Sequence, residues 1–209
     1  MITDSKYFYL HNMGRHAGWC TPATRGTLAR PKTSISAHVY MGMSNWGTNT
    51  LKFVTGTHKQ VSKYVNPKTK GLHKGVGQDE YNDVIKEHWV PGGNRLFQQA
   101  GKWADNWQLQ QDNAPPHKSQ ERGLHHCRSA RWSFPGMASK PELSPIENLW
   151  AWMDHKLHEE YACESIGELN MALEEIRQSI PASMLHKYFD SMDCRMKRVV
   201  DLNGDYIGI

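Results

Sequence analysis

The pattern of apolar and polar positions changes character along the chain, from strand-like in the first half to helix-like in the second. Lys6-Tyr7-Phe8-Tyr9-Leu10 is rich in aromatics and reads as a strand. Residues 36–43 and 50–55 flank Ser44-Asn45-Trp46-Gly47, a turn-forming stretch, and together predict a hairpin. Residues 11–35 and 56–77 carry Gly, Pro, Thr and Lys without periodicity and read as loops. A helix is expected from Gln78, where Asp79 and Glu80 suit the positive end and Tyr81, Val84, Ile85 and His88 share a face. Pro91-Gly92-Gly93 predicts its end.

Trp107-Gln108-Leu109-Gln110-Gln111-Asp112 alternates and reads as a strand ending at Asp112, because Asn113-Ala114-Pro115-Pro116 cannot continue it. A helix over residues 119–127 and a short strand over 130–134 follow. Ser144 then opens a strongly marked helix, with Pro145 at the first position and Ile146, Leu149, Trp150, Met153 and Leu157 at helical spacing. Ser165 and Glu168 form a capping box for a helix whose expected buried stripe is Ile166, Leu169, Leu173 and Ile176. Pro181 begins a last helix carrying Leu185, Tyr188, Phe189 and Met192, and Asn203-Gly204 marks a turn. Strands followed by alternating helices and strands predict an α/β domain, a mixed sheet with helices packed on it.

Composition adds bounds rather than chemistry. A chain of 209 residues suits a single domain, and 38% hydrophobic with 22% charged residues is ordinary for a folded globule. No apolar run reaches the roughly 18 residues of a membrane span, and the first residues lack a secretory layout. Cys20, Cys127, Cys163 and Cys194 are scattered, which argues for reduced thiols rather than a disulfide framework or a zinc ribbon. His125-His126-Cys127 and the pair His155 and His158 match no standard zinc spacing. The net charge of +4 is compatible with a polyanionic partner without demonstrating one.

Three carboxylates draw attention. Asp4 stands in the first strand segment, Asp112 at a strand end before prolines, and Glu147 at the third position of a helix. Each has a plain structural alternative: a solvated terminal residue for Asp4, an Asx-turn for Asp112, and a bond back to the Ser144 amide for Glu147. Alternation sets Gln108, Gln110 and Asp112 on one strand face, and a polar face on a central strand asks for a reason. Separated carboxylates are what a two-metal phosphoryl-transfer site uses, because hard divalent cations take oxygen ligands. Trp150 reads as core, and Trp46 as a hairpin-tip residue open to stacking. Arg195, Lys197 and Arg198 are candidates for phosphate contacts or simply a solvated face.

Gln110-Gln111-Asp112-Asn113-Ala114-Pro115-Pro116-His117 and Ser144-Pro145-Ile146-Glu147-Asn148-Leu149-Trp150, with 34 residues between Asp112 and Glu147, resemble the catalytic domain of the mariner-type transposase superfamily. Asp4-Ser5-Lys6-Tyr7-Phe8 and Phe53-Val54-Thr55-Gly56-Thr57 carry the resemblance further along the chain. The family has an acidic residue where this chain has Ser5, a departure at a position that is not a metal ligand.

The resemblance implies a ribonuclease-H-like fold with helices on both faces of the sheet. It implies an Asp-Asp-Glu triad of Asp4, Asp112 and Glu147 holding Mg²⁺, with Mn²⁺ able to substitute, and supporting roles for Asn113, His117 and Asn148. It further implies DNA as partner, both transposon ends and target, with a homodimer in the full-length enzyme, and a nuclear location in a eukaryote. Full-length members carry helix-turn-helix modules before this domain. None is seen in these residues, so residues 1–209 read as the catalytic domain alone: a fragment, a mispredicted gene start or a decayed copy. Two other readings stay open: a remnant that keeps the fold as a nucleic-acid- or protein-binding module, and a nuclease of the same fold without strand transfer.

Overall fold

The computed structural model describes residues 1–10, 36–54, 78–102, 107–111, 130–132 and 143–207. Strand β1 (Ile2–Tyr9) pairs antiparallel with β2 (Ser36–Ser44) along its whole length, from Ile2↔Met43 to Tyr9↔Ser36. On its other side β2 pairs antiparallel with β3 (Gly47–Thr48) and with β4 (Lys52–Val54). The free edge of β1 takes up β5 (Trp107–Leu109) in parallel. The Thr3 N–H donates to the Gln110 carbonyl at 2.8 Å, and the Gln110 N–H donates to the Met1 carbonyl at 2.9 Å. β6 (Ala130–Trp132) lies parallel beside β5. The sheet is therefore mixed, antiparallel on one side of β1 and parallel on the other, and β1 is its middle strand.

Alternation along the strands divides the core into two layers. Ile2 and Phe8 of β1, with Ala37, Val39, Met41 and Met43 of β2, face helices α3 (Pro145–Glu160), α4 (Ile166–Gln178) and the start of α5 (Ala182–Asp201). Tyr40, Trp107 and Leu109 face the other way, against Tyr81, Val84, Ile85, Trp89 and Phe97. Helices thus cover both faces, as expected. The α3 stripe of Ile146, Leu149, Trp150, Met153 and Leu157 is fully buried. Burying each such side chain stabilises the fold by about 1.5–3 kcal/mol.

Two expectations need correction. The helix beginning at Gln78 does not stop at Pro91-Gly92-Gly93. It runs as α1 (Gln78–Asp83), a π-helical stretch (Val84–Trp89) and α2 (Val90–Gln99). The wide turn explains the tolerance of proline. With the Val90 N–H bonded to the Ile85 carbonyl, the backbone has already shifted register before Pro91 enters, so its missing N–H costs little.

The glycines serve close packing rather than termination. A Cβ on Gly93 would lie 2.5 Å from Trp107 Cζ2, and one on Gly92 would lie 2.9 Å from Asn49 Cβ. The Trp107 indole N–H reaches Asn94 Oδ1 at 2.8 Å, which locks strand to helix. The second correction is Ile166, the first residue of α4, which is 41% exposed rather than buried; Ala172 joins Leu169, Leu173 and Ile176 in the buried stripe instead. The capping box at Ser165 forms as expected. The Ser165 hydroxyl accepts from the Glu168 N–H at 3.2 Å, and the Glu164 N–H bonded to the Glu168 carboxylate holds that group below the usual carboxylate range.

Gly93→Ala should destabilise the fold. Alanine improves helix propensity by roughly 1 kcal/mol, but overpacking against the Trp107 ring costs about 1–3 kcal/mol. A lowered urea midpoint, with the slope unchanged, is the expected reading.

His38 stacks on Tyr7 with ring centroids 4.0 Å apart, and burial pushes its imidazole down to about 4 from an ordinary 6.5. The unfolded chain takes up that proton near pH 6.5 and the folded chain only near 4. Stability from this group is therefore complete above pH 6.5 and declines as the pH falls toward 4. Urea denaturation across this range should show a shallower loss in His38→Gln than in the wild type.

Candidate active site

Asp4 sits on β1, on the same face as Ile2 and Phe8, and so points toward the α3 layer. The sheet brings it to the helix that carries Glu147. The Trp150 indole N–H donates to Asp4 Oδ2 at 2.9 Å, across 146 residues of sequence. Trp150 is fully buried and meets Phe8 edge-on, with centroids 5.7 Å apart. Glu147 precedes Trp150 by three residues, so both lie on one side of the first turns of α3.

Glu147 is the third residue of α3 and is exposed. The Ser144 hydroxyl makes no capping bond, although Ser144 occupies the cap position with extended backbone. Its carbonyl accepts the Glu147 N–H at 3.1 Å instead. Asn148, the next residue, is half-buried, and its Oδ1 accepts from Arg195 Nη1 of α5 at 2.9 Å. Burial raises the Tyr188 hydroxyl above its usual range, while the neighbouring Arg195 charge works in the opposite direction. Arg195, one of three basic residues singled out by sequence, is thus the one tied to the helix start. Lys197 and Arg198 are exposed.

Asp112, Asn113 and His117 lie outside the described residues, as do His125, His126 and Cys127. The residue before Asp112 is within them. Gln111 is buried, and its Oε1 accepts from the Tyr81 hydroxyl at 2.6 Å on the aromatic face of the sheet. Among the described residues, no group of three His, Cys, Asp or Glu side chains could hold a metal ion. The two carboxylates that are described, Asp4 and Glu147, are hard oxygen donors of the kind Mg²⁺ and Mn²⁺ take, so the donor chemistry fits a divalent cation. His155 and His158 instead pair with Glu159 and Asp154 along α3. Trp46 does stand at the hairpin tip, 44% exposed, with Phe97 edge-on and the Lys102 ammonium 5.8 Å from its ring. Among the described residues, Cys163 and Cys194 are free thiols.

A mixed sheet with an acidic residue on its middle strand, helices on both faces and a second carboxylate at a helix start defines the ribonuclease-H-like class of α/β domain. Comparison with solved structures bears this out. The catalytic domain of Mos1 mariner transposase superposes with a TM-score of 0.66 at 15% identity, covering 98% of this chain and 83% of that one. The Mos1 paired-end complex with Mn matches with a TM-score of 0.68 at 18% identity, covering 98% of this chain and 55% of that one. No family model matches the chain.

In sequence, the Tc1 transposase of Caenorhabditis elegans is 35% identical over 104 residues, 46% of this chain and 35% of that protein. The Tcb2 transposase of Caenorhabditis briggsae is 30% identical over 124 residues, 59% of this chain and 43% of that protein. Over about half its length the chain is thus similar in sequence to Tc1-type transposases, and its fold is that of the Mos1 catalytic domain. It spans less than half the length of these curated relatives.

The Asn148–Arg195 bond joins α3 to α5 beside the candidate site. Asn148→Ala should destabilise the chain by about 1 kcal/mol, the scale of a partly exposed bond to a charged donor. A fall in the thermal midpoint would register it, and Arg195→Ala in the Asn148→Ala background should then add less than it does alone.

Proposed function

We propose that this chain is the catalytic domain of a cut-and-paste DNA transposase that cleaves and transfers DNA strands with divalent metal, using Asp4, Asp112 and Glu147 as the metal-holding carboxylates. The observation that carries the reading is the Asp4–Trp150 hydrogen bond. It joins the middle strand of a transposase-type fold to the helix turn bearing Glu147. The register gives further support. Ile2 bridges Gln110, and Asp112 follows Gln110 by two residues as Asp4 follows Ile2, a spacing suited to neighbouring carboxylates on one face. Solved Mos1 structures carry Mg or Mn and transposon-end DNA, which favours Mg²⁺, with Mn²⁺ as a substitute, and DNA as partner. A homodimer in a full-length enzyme and a nuclear location in a eukaryote belong to the same reading.

The bound cations would supply Lewis-acid stabilisation of the charge that develops on attacking and leaving oxygens. The chain's own part is to present the three carboxylates on rigid elements. β1 holds Asp4, and α3, anchored by its buried stripe, holds Glu147. Water attacks the scissile phosphorus, the bond to the 3′ oxygen breaks, and a free 3′-hydroxyl results. That hydroxyl then attacks a target phosphorus and displaces a target oxygen, so phosphodiester bonds made and broken balance. Asn148, which follows Glu147 and accepts from Arg195, and Asn113 and His117, which follow Asp112 in sequence, are the supporting polar groups of this reading.

Incubation of supercoiled plasmid with Mg²⁺ or Mn²⁺ tests the reading. The wild-type chain should produce open circles, and Asp112→Ala, Asp4→Ala and Glu147→Ala should each fall to the metal-free background. Equal nicking by Asp112→Ala would overturn the triad. Nicking with no joining of a labelled 3′-end to target would shift the reading to a nuclease of the same fold.

A further inference from the structure

We propose that Trp150 is a positioning residue for divalent-cation binding: its indole N–H holds the Asp4 carboxylate in the orientation from which that carboxylate takes a metal ion. The inference rests on the reading of Asp4 as a metal ligand.

Three features of the contact carry it. The ring cannot swing away, because Trp150 is fully buried and packed edge-on against Phe8. Its N–H is therefore a fixed donor, 2.9 Å from Asp4 Oδ2. The indole N–H is also donor-only and uncharged. A lysine or arginine at this place would orient the carboxylate too, but its charge would oppose a cation bound alongside. The third feature is placement. Trp150 follows Glu147 by one helical turn, so the same segment of α3 that offers one carboxylate also grips the other. The distance between β1 and α3 at the site is thereby set by a bond to the ligand itself. A donor that orders a metal-binding carboxylate beforehand lowers the cost of ordering it when the metal binds.

The plain alternative is that Asp4 merely satisfies a buried indole N–H. The two roles differ in what metal binding feels. Mn²⁺ binding to the 209-residue chain can be measured from free Mn²⁺ by electron paramagnetic resonance, for the wild type, Asp4→Asn, Trp150→Phe and Met153→Ala. Trp150→Phe keeps an aromatic ring but has no N–H. Met153→Ala opens a cavity in the same buried stripe of α3 without removing that N–H.

The proposal expects Asp4→Asn to abolish the site and Trp150→Phe to weaken Mn²⁺ roughly 10- to 100-fold, the usual loss for an orienting partner of a metal ligand. Met153→Ala should bind as the wild type does. Wild-type affinity in a folded Trp150→Phe overturns the positioning role and leaves the metal-site reading standing. Absence of Mn²⁺ binding in the wild type overturns both.

Should Trp150→Phe fail to fold, the indole N–H resonances of the ¹⁵N-labelled wild type and Asp4→Asn decide the matter. One indole signal should move both on Mg²⁺ addition and in Asp4→Asn. If no signal responds to both, the proposal fails.

Discussion

The middle strand β1 is hydrogen-bonded on both edges, antiparallel to β2 and parallel to β5, and the rest of the structure follows from that double pairing. Because side chains alternate, a slip of one residue would turn Ile2, Asp4 and Phe8 to the opposite face and expose Phe8, which is fully buried. The antiparallel register with β2 runs unbroken for eight pairs, so the slip is strongly disfavoured. The position of Asp4 is thus a by-product of hydrophobic register. Its carboxylate is directed to α3 because its neighbours on the strand must be buried there.

The two layers on this sheet are built differently. The face carrying Asp4 packs against side chains of three helices that are mostly aliphatic or methionine, with Trp150 among them, and its polar contacts are Trp150 to Asp4 and Arg195 to Asn148. The opposite face is a stack of large rings, with Tyr40, Tyr81, Trp89, Phe97 and Trp107 in edge or stacked contact. That face needs glycine where the helix crosses Trp107, and its polar contacts, such as Tyr81 to Gln111, tie elements together. Candidate chemistry and rigid support therefore fall on opposite sides of one sheet.

The fold match extends over 98% of the chain at 15% identity, whereas recognisable sequence similarity to curated relatives covers 46–59% of it. Burial constrains volume and polarity more than identity, so many sequences satisfy the same strand and helix stripes. Local segments with particular backbone and side-chain demands, such as Ser144-Pro145-Ile146-Glu147, tolerate fewer replacements.

Local sequence determined a good deal of this molecule by itself. Periodicity of about 3.6 marked α3, α4 and α5, Ser165 with Glu168 marked a cap, an aromatic run marked β1, a turn-forming stretch marked the end of β2 and alternation marked β5, because these signals arise within a few residues of one another. The motifs around Asp112 and Glu147 raised the candidate carboxylates for the same reason. Pro91-Gly92-Gly93 misled, since a π-helical turn upstream and the Trp107 ring across the interface decide its conformation. Tertiary structure alone decided that Trp150 donates to Asp4 and that Arg195 donates to Asn148. Those partners lie 146 and 47 residues apart, and a hydrogen bond at that separation depends on strand order, register and helix docking, which no local pattern encodes.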